Sequence, residues 1–395
     1  MAYRILVVED HPFQHGYLLG LLNDLSGLSV TSAFNGEEAL AAIKAEHFDL
    51  VLSDLMMPGV DGIQLVQRIG KLSRKPALAF MSSGSGRMMT SASFAARSLG
   101  FNVLGLIAKP VNVGALRKLL DQLVALDSVE DASVRAPAHH SLADLSLALK
   151  TGQIQPWFQP KKSLATGRIV AAEALARWKH PSLDVLLPRD FLPGIIRHNL
   201  EEELLMQFVT QTIAAQTLWR RHGYDVPVSI NLPTHLLDSD ELPDRLYERV
   251  IQEGGTPSRI GFELMENSAT EDLGHYFAGV CRLRFKGFGL AQDDFGKGYS
   301  SYFNLVSTPF TELKIDRSLV NGCVENEYLA AALSSIVSLG KHLGLNVVAE
   351  GVETQEELAL LSRIHCDQVQ GFLISKAVDP QLFLRLQTEA GPAIH

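Results

Sequence analysis

Short apolar runs alternate with amphipathic stretches along most of the chain, and the alternation falls into two blocks. Tyr3-Arg4-Ile5-Leu6-Val7-Val8 has the continuous apolar character of a buried strand, and Phe13, Tyr17, Leu18, Leu21, Leu22 and Leu25 then recur at helical spacing. Phe48–Ser53, Ala77–Met81 and Val103–Ala108 are further strands, and Val111–Leu126 returns to helical periodicity. Such alternation predicts a parallel sheet with helices on both faces. From Leu142 to about Thr388 the pattern resumes with more units. Trp157–Gln159 and Arg168–Ala172 predict a hairpin turned at Ala165-Thr166-Gly167, followed by about seven strand–helix units. This length suits one (β/α)₈ TIM-like barrel, for which roughly 250 residues is typical. Asp127–His140 breaks the periodicity with Asp, Ser, Glu and Pro and predicts a linker, helical at most at its start. The expected organisation is therefore an α/β domain over 1–124, a linker over 125–141, a barrel over 142–388 and a tail over 389–395.

Bulk properties agree with two domains and narrow the function. The 395 residues exceed one ordinary core, and 46% hydrophobic with 20% charged content is that of a globular protein. A formal net charge of -9 argues against DNA or RNA as partner. Cys281, Cys323 and Cys366 lack metal-site spacing and fit a reducing cytoplasm. No apolar run approaches the roughly 18 residues of a membrane helix, and Met1–Pro12 has the pattern of a strand ending in acids, unlike a signal peptide.

Charged residues collect at the ends of the expected strands. In the first domain Glu9 and Asp10 end the first strand, Asp54 the third, Ser82 the fourth and Lys109 the fifth. In a doubly wound sheet these ends meet at one crevice. Three carboxylates there suit a Mg²⁺ ion, and the hydroxyl and amine suit the oxygens of a phosphoryl group on Asp54. In the second domain Glu173, Glu263, Asp293, Asp294, Lys314 and Glu350 each end a short apolar run. Carboxylates at the carboxyl ends of barrel strands converge on one pocket, where their repulsion calls for hard cations. The chemistry this implies is two-metal hydrolysis of a phosphoester. His139-His140 is expected to be a solvated linker pair, and His180, His222 and His235 structural or exposed. Trp157 and Trp178 are expected in the core or the pocket wall.

Residues 1–124 resemble a response-regulator receiver domain, a flavodoxin-like fold. The resemblance implies Asp54 as phospho-acceptor from a cognate sensor histidine kinase, Glu9 and Asp10 as Mg²⁺ acids, Ser82 as switch hydroxyl and Lys109 as phosphate-binding lysine. The family often carries Tyr or Phe three residues before the lysine, where this chain has Leu106.

Residues 142–388 resemble the EAL domains, bacterial phosphodiesterases for cyclic di-GMP. The motifs occur in family order: Glu173-Ala174-Leu175-Ala176-Arg177-Trp178, Asn231-Leu232-Pro233, Glu263-Leu264-Met265-Glu266, Asp293 through Ser301, Leu313-Lys314-Ile315-Asp316, Ala349 through Glu353, and Gln370-Gly371-Phe372. The resemblance implies two Mg²⁺ or Mn²⁺ ions held by Glu173, Asn231, Glu263, Asp293, Asp294 and Glu350, with Asp293 bridging. Lys314 would position the attacking water or stabilise charge on the phosphorane. Glu350 would act as general base directly or through the metals. Gln159, Leu175, Arg177, Asp316, Glu353, Gln370 and Gly371 would contact cyclic di-GMP, and Glu266 would anchor the Asp294–Ser301 loop. Met265, Lys297 and Phe372 depart from the family's Thr, small residue and Tyr, and none removes a ligand. The expectation is a homo-oligomeric response regulator that hydrolyses cyclic di-GMP to pGpG. The alternative is a silent EAL module that binds cyclic di-GMP and signals through protein contacts.

Overall fold

The computed structural model describes residues 2–72, 75–83, 86–133, 140–265, 273–297 and 302–389. The chain forms two compact units, residues 1–136 and 137–395.

The first unit holds a five-stranded parallel sheet of β1 (Tyr3–Val8), β2 (Leu28–Ala33), β3 (Leu50–Asp54), β4 (Ala77–Ser82) and β5 (Val103–Ala108), in the order β2-β1-β3-β4-β5. Central strands are apolar on both faces because helices cover both. Leu6, Val8, Val51, Leu78 and Phe80 pack into one core, while Ile5, Val7, Leu50, Leu52, Ala79 and Met81 pack into another. Strand β2 escapes a hydrophobic-run reading because it is an edge strand, only Ala33 being buried. The strand order reverses direction between β1 and β3, and the crevice outside their carboxyl ends is the usual ligand position of such sheets.

The second unit is an eight-stranded barrel with one short extra strand. It comprises β6 (Ile154–Ser163), β7 (Ile169–His180), β9 (Val228–Asn231), β10 (Ile260–Met265), β11 (Gly289–Phe295), β12 (Glu312–Ile315), β13 (Asn346–Ala349) and β14 (Gln368–Val369), with β8 (Asp184–Leu186) added beside β7. The hairpin expected from the sequence is present and longer, pairing Ile154 with Trp178 and Gln159 with Glu173. Six barrel strands follow it, where the periodicity suggested about seven units. Strand β6 runs antiparallel to both β7 and β14, whereas β7 and β9–β14 are mutually parallel, so the first strand inverts the ordinary (β/α)₈ plan. Outward residues such as Phe262, Leu264, Leu290, Leu313, Ile315 and Val347 pack under the helices. The alternate positions face the barrel interior and carry Glu263, Asp293, Glu312, Lys314 and Asn346, among small or apolar residues such as Gly261, Ala291 and Val348.

Helix Val113–Ser133 continues past the last apolar repeat, so much of the segment expected to be linker is helical. Ser141 caps the next helix, Leu142–Lys150, through a reciprocal capping box with Asp144. His139 lies outside the described residues. His140 does not behave as a solvated linker residue, since its ring lies 4.5 Å from that of buried Trp178.

Candidate active site

In the first unit the crevice assembles the expected set. Lys109 Nζ donates to Asp54 Oδ2 at 2.5 Å and lies 2.7 Å from Glu9 Oε2. Carboxylate oxygens of Glu9, Asp10 and Asp54 lie within 4.8 Å of one another, and Ser82 is buried at the end of β4. The backbone N–H of Met56 donates to Asp54 Oδ1 at 3.1 Å, which fixes the carboxyl plane. Leu106 on β5 is 40% exposed.

In the barrel the functional side chains radiate from strand ends onto Lys314. This ammonium, wholly buried, sits 2.5 Å from Glu263 Oε2, 2.8 Å from Asp293 Oδ1, 2.7 Å from Glu350 Oε1 and 3.4 Å from Glu173 Oε2. Gln370 Nε2 donates to Glu173 Oε2 at 2.6 Å and to Gln159 Oε1 at 3.1 Å, while Asn231 Nδ2 reaches Glu173 Oε1 at 3.4 Å. Gln159 and Glu173 are opposite partners in the β6–β7 ladder, and β14 pairing beside β6 brings Gln370, 211 residues from Gln159, to both of them.

Two consecutive acids reach the same mouth through a strand irregularity. In a regular strand, neighbouring side chains point to opposite faces. Between β11 and β12 the register runs Gln292 to Leu313 and then Phe295 to Ile315, so Asp293 and Asp294 together oppose the single Lys314. Asp294 takes a left-handed φ of 54°, which Asp tolerates better than most residues. Oxygens of Asp293, Asp294 and Glu350 consequently lie within 4.8 Å of one another. Lys297 Nζ bonds Asp294 Oδ2 at 2.9 Å, and that hydrogen bond raises the lysine's pKa.

The electrostatics differ sharply within this cluster. Burial pushes Glu350 up to about 8, with Glu173, Asp293 and Glu263 adding to the rise and Lys314 opposing it. Burial likewise raises Glu173 and Asp293. Burial also acts to raise Glu263, but Lys314 and Lys161 outweigh it and hold that carboxyl down at about 2. Lys314 is driven well above the usual range, its burial overcome by Glu173, Glu263, Glu350 and Asp293.

Glu173, Asp293, Asp294, Lys314, Glu350, Gln159, Leu175, Asp316, Glu353, Gln370 and Gly371 line one cavity of about 390 Å³. Arg317, Gly351 and Phe372 line it too; Gly351 and Phe372 lie in the EAL-like motifs without an assigned role, and nothing in the sequence marked Arg317. Asn231 and Glu263 are not on this wall: they border a neighbouring, mainly apolar cavity of about 590 Å³ and reach the cluster through Glu173 and Lys314. Arg177 is not on the 390 Å³ wall: its Nη1 donates to Ala176 O at 2.7 Å and its guanidinium lies 5.9 Å from the Trp157 ring centre. Asp316 caps the following helix by accepting from Ser318 N at 2.9 Å. Glu266 lies outside the described residues, as do residues 298–301 of the loop it was expected to anchor. The sequence reading missed Lys161, a wholly buried lysine on β6 that bonds Glu263.

A barrel mouth of strand-end carboxylates, preceded by a sheet whose crevice holds three acids and a lysine, defines a two-module signalling protein. The EAL domain family matches residues 142–377 and the response regulator receiver domain matches residues 5–121. The chain belongs to the EAL-domain family and carries a receiver domain ahead of it. It is 32% identical over 383 residues to the cyclic di-GMP phosphodiesterase RocR of Pseudomonas aeruginosa, covering 96% of this chain and 97% of that one. It is 34% identical over 235 residues to the oxygen sensor protein DosP of Escherichia coli, covering 59% of this chain and only 29% of DosP. Among solved structures, the PaMucR phosphodiesterase in complex with c-di-GMP superposes with a TM-score of 0.57 at 32% identity, covering 61% of this chain and 98% of that chain. An EAL domain protein from Listeria monocytogenes gives 0.56 at 27% identity, covering 63% and 98% respectively. Among the described residues no helix is long and apolar enough to cross a membrane.

Proposed function

We propose that this chain is a response regulator that hydrolyses one phosphodiester bond of cyclic di-GMP to give linear pGpG, under the control of phosphorylation at Asp54. The observation that carries the reading is the oxygen cluster of Asp293, Asp294 and Glu350 within 4.8 Å, beside Glu173, Glu263 and Lys314. The donor set is carboxylate and amide oxygen without thiol or imidazole, which suits Mg²⁺ or Mn²⁺. Glu173, Asn231, Glu263, Asp293, Asp294 and Glu350 would hold the cations. Two such ions supply Lewis acidity, which makes a water nucleophilic near neutral pH and offsets charge on the phosphoryl oxygens.

The chain's own groups divide the remaining work. Lys314 spends its donors on Glu263, Asp293 and Glu350 and, where cations take over those carboxylates, would oppose negative charge developing on a phosphoryl oxygen. Glu350, beside Lys314 and the Asp293–Asp294 pair, is placed to accept the proton lost by the attacking water. Gln370 and Asn231 orient Glu173 by donating to its two oxygens. Arg177, off the cavity wall in this structure, would have to leave its Ala176 contact to offer its donors to a phosphate. In the receiver, Glu9 and Asp10 would hold a Mg²⁺ beside Asp54, with Lys109 and Ser82 binding the phosphoryl oxygens.

A sensor histidine kinase as phosphodonor, a homo-oligomeric state and a cytoplasmic location complete the proposal. The receiver module supports the first, and the three unpaired cysteines support the last. Incubation with cyclic di-GMP and Mg²⁺ or Mn²⁺, followed by nucleotide chromatography, should yield pGpG, and a chelator should stop it. Tight binding of cyclic di-GMP without turnover under either cation would instead mark a silent recognition module.

A further inference from the structure

Beneath the barrel mouth lies a second charged layer that no step above uses. Lys161 on β6 is wholly buried and its ammonium reaches three acceptors: Ser229 Oγ on β9 at 2.8 Å, Glu263 Oε1 on β10 at 3.1 Å and Glu312 Oε1 on β12 at 2.5 Å. An ammonium has three donors, so all are engaged and its direction is fixed. The other oxygen of Glu312 accepts from Asn346 Nδ2 at 2.9 Å, and Asn346 Oδ1 accepts from Gln368 Nε2 at 3.3 Å. The network thus crosses the barrel from β6 to β9, β10 and β12 and runs on through β13 to β14.

Stability alone is a weak reason for such a layer. Burying ions is costly, and packed apolar residues of similar volume often serve a core as well or better. What the layer does do is hold Glu263 from below. Lys314 takes Glu263 Oε2 at 2.5 Å from the mouth side, and Lys161 takes Oε1 at 3.1 Å from the interior. Glu312 compensates the charge of Lys161, so the pair can orient Glu263 without cancelling the negative charge it presents above.

We propose that Lys161 and Glu312 form a positioning pair for Glu263, holding Oε1 inside the barrel and turning only Oε2 toward the cation-binding mouth. This rests on the reading of Glu263 as a cation ligand. Without Lys161 the carboxylate is free to rotate about its last torsion, and Glu312 is left as an uncompensated buried charge. Without Glu312 the ammonium's charge is offset by Glu263 alone among the carboxylates it contacts, which weakens Glu263 as a ligand. Both changes therefore act on cation affinity, even though neither residue reaches the pocket wall.

The test uses the full-length protein and Mn²⁺, followed by electron paramagnetic resonance of the free ion, with kcat and KM for cyclic di-GMP at saturating Mn²⁺. Lys161→Met should weaken Mn²⁺ binding about 10- to 100-fold and lower kcat, with KM unchanged within about twofold. Glu312→Gln should weaken Mn²⁺ binding several-fold in the same direction. The double variant should stay weak, because neutrality is restored but Oε1 still lacks its donor. Wild-type protein that binds no Mn²⁺ would overturn the metal reading of the site and this inference with it. Wild-type binding with unchanged affinity in folded Lys161→Met, or full recovery in the double variant, would overturn the positioning role alone. If Lys161→Met does not fold, Glu312→Gln decides: a lowered melting temperature with unchanged Mn²⁺ affinity marks the pair as structural only.

Discussion

Glu263 and Glu350 share one pocket and one lysine, yet their surroundings drive them in opposite directions. Glu263 is gripped by two ammoniums, whereas Glu350 has only Lys314 against burial and three neighbouring acids. In the cation-free protein the cluster is therefore expected to keep a proton near neutral pH, most readily on Glu350. The folded state binds this proton more tightly than the unfolded chain, whose carboxyl titrates near 4.5, so the Glu350 contribution to stability falls as pH rises from about 4.5 to about 8. Cation binding should reverse that loss and expel about one proton per barrel at pH 7. Calorimetry with Mg²⁺ in two buffers of different ionisation enthalpy measures the proton directly; no buffer dependence would refute the assignment. Glu350→Gln should cut turnover by about 100-fold or more while cyclic di-GMP still binds, as single-turnover and binding measurements would show. The individual acids and Lys314 were legible because each ends an apolar run. That adjacent Asp293 and Asp294 both reach the mouth was not, because it depends on a register shift against β12. Lys161 was illegible for another reason: a lysine near a strand end ordinarily indicates solvent, and only barrel closure buries it.

At the scale of elements, the loops after the strands are shaped by close backbone approach. A side chain on Gly371 would meet Val352 N at 2.3 Å and Val352 O at 2.2 Å, so the turns after β13 and β14 pack backbone against backbone. Gly351 adds a φ of 67° and would place a Cβ 2.3 Å from that of Arg317. Gly371→Ala should therefore destabilise the barrel by about 1–3 kcal/mol and misplace Gln370, whose amide bonds Glu173. Thermal melting together with a raised KM for cyclic di-GMP checks this; unchanged values for both would show that the turn can yield. The hairpin β6–β7 was legible from its turn residues, but not its full reach, because polar Gln155 and the prolines Pro156 and Pro160 interrupt the apolar run on either side of Trp157–Gln159. Helix Val113–Ser133 outruns its apolar repeat for a similar reason: polar residues prolong a helix without leaving a hydrophobic signature.

For the whole molecule, the two modules and their order were evident from strand–helix alternation and strand-end charges. The inverted direction of β6 was not, since an apolar run carries no sign of direction. The proposed phosphorylation at Asp54 would act on a unit with its own two cores, and the barrel likewise has its own. Beryllofluoride, a phosphoryl mimic, should change hydrolysis by the full-length protein and leave residues 137–395 unaffected. A full-length enzyme indifferent to beryllofluoride and to Asp54→Asn would show that the receiver does not control turnover. Leu106 offers no aromatic ring to change rotamer, so any control must use another element of the receiver. The seam at β6 has a further consequence for biosynthesis. Gln159 and Gln370, bonded across that seam, stand 211 residues apart in the chain. During translation the hairpin emerges early, but the strand that closes the ring emerges almost last. The nascent barrel must therefore carry two open sheet edges until nearly the whole domain has left the ribosome, the kind of long-range closure that slows folding and invites chaperones.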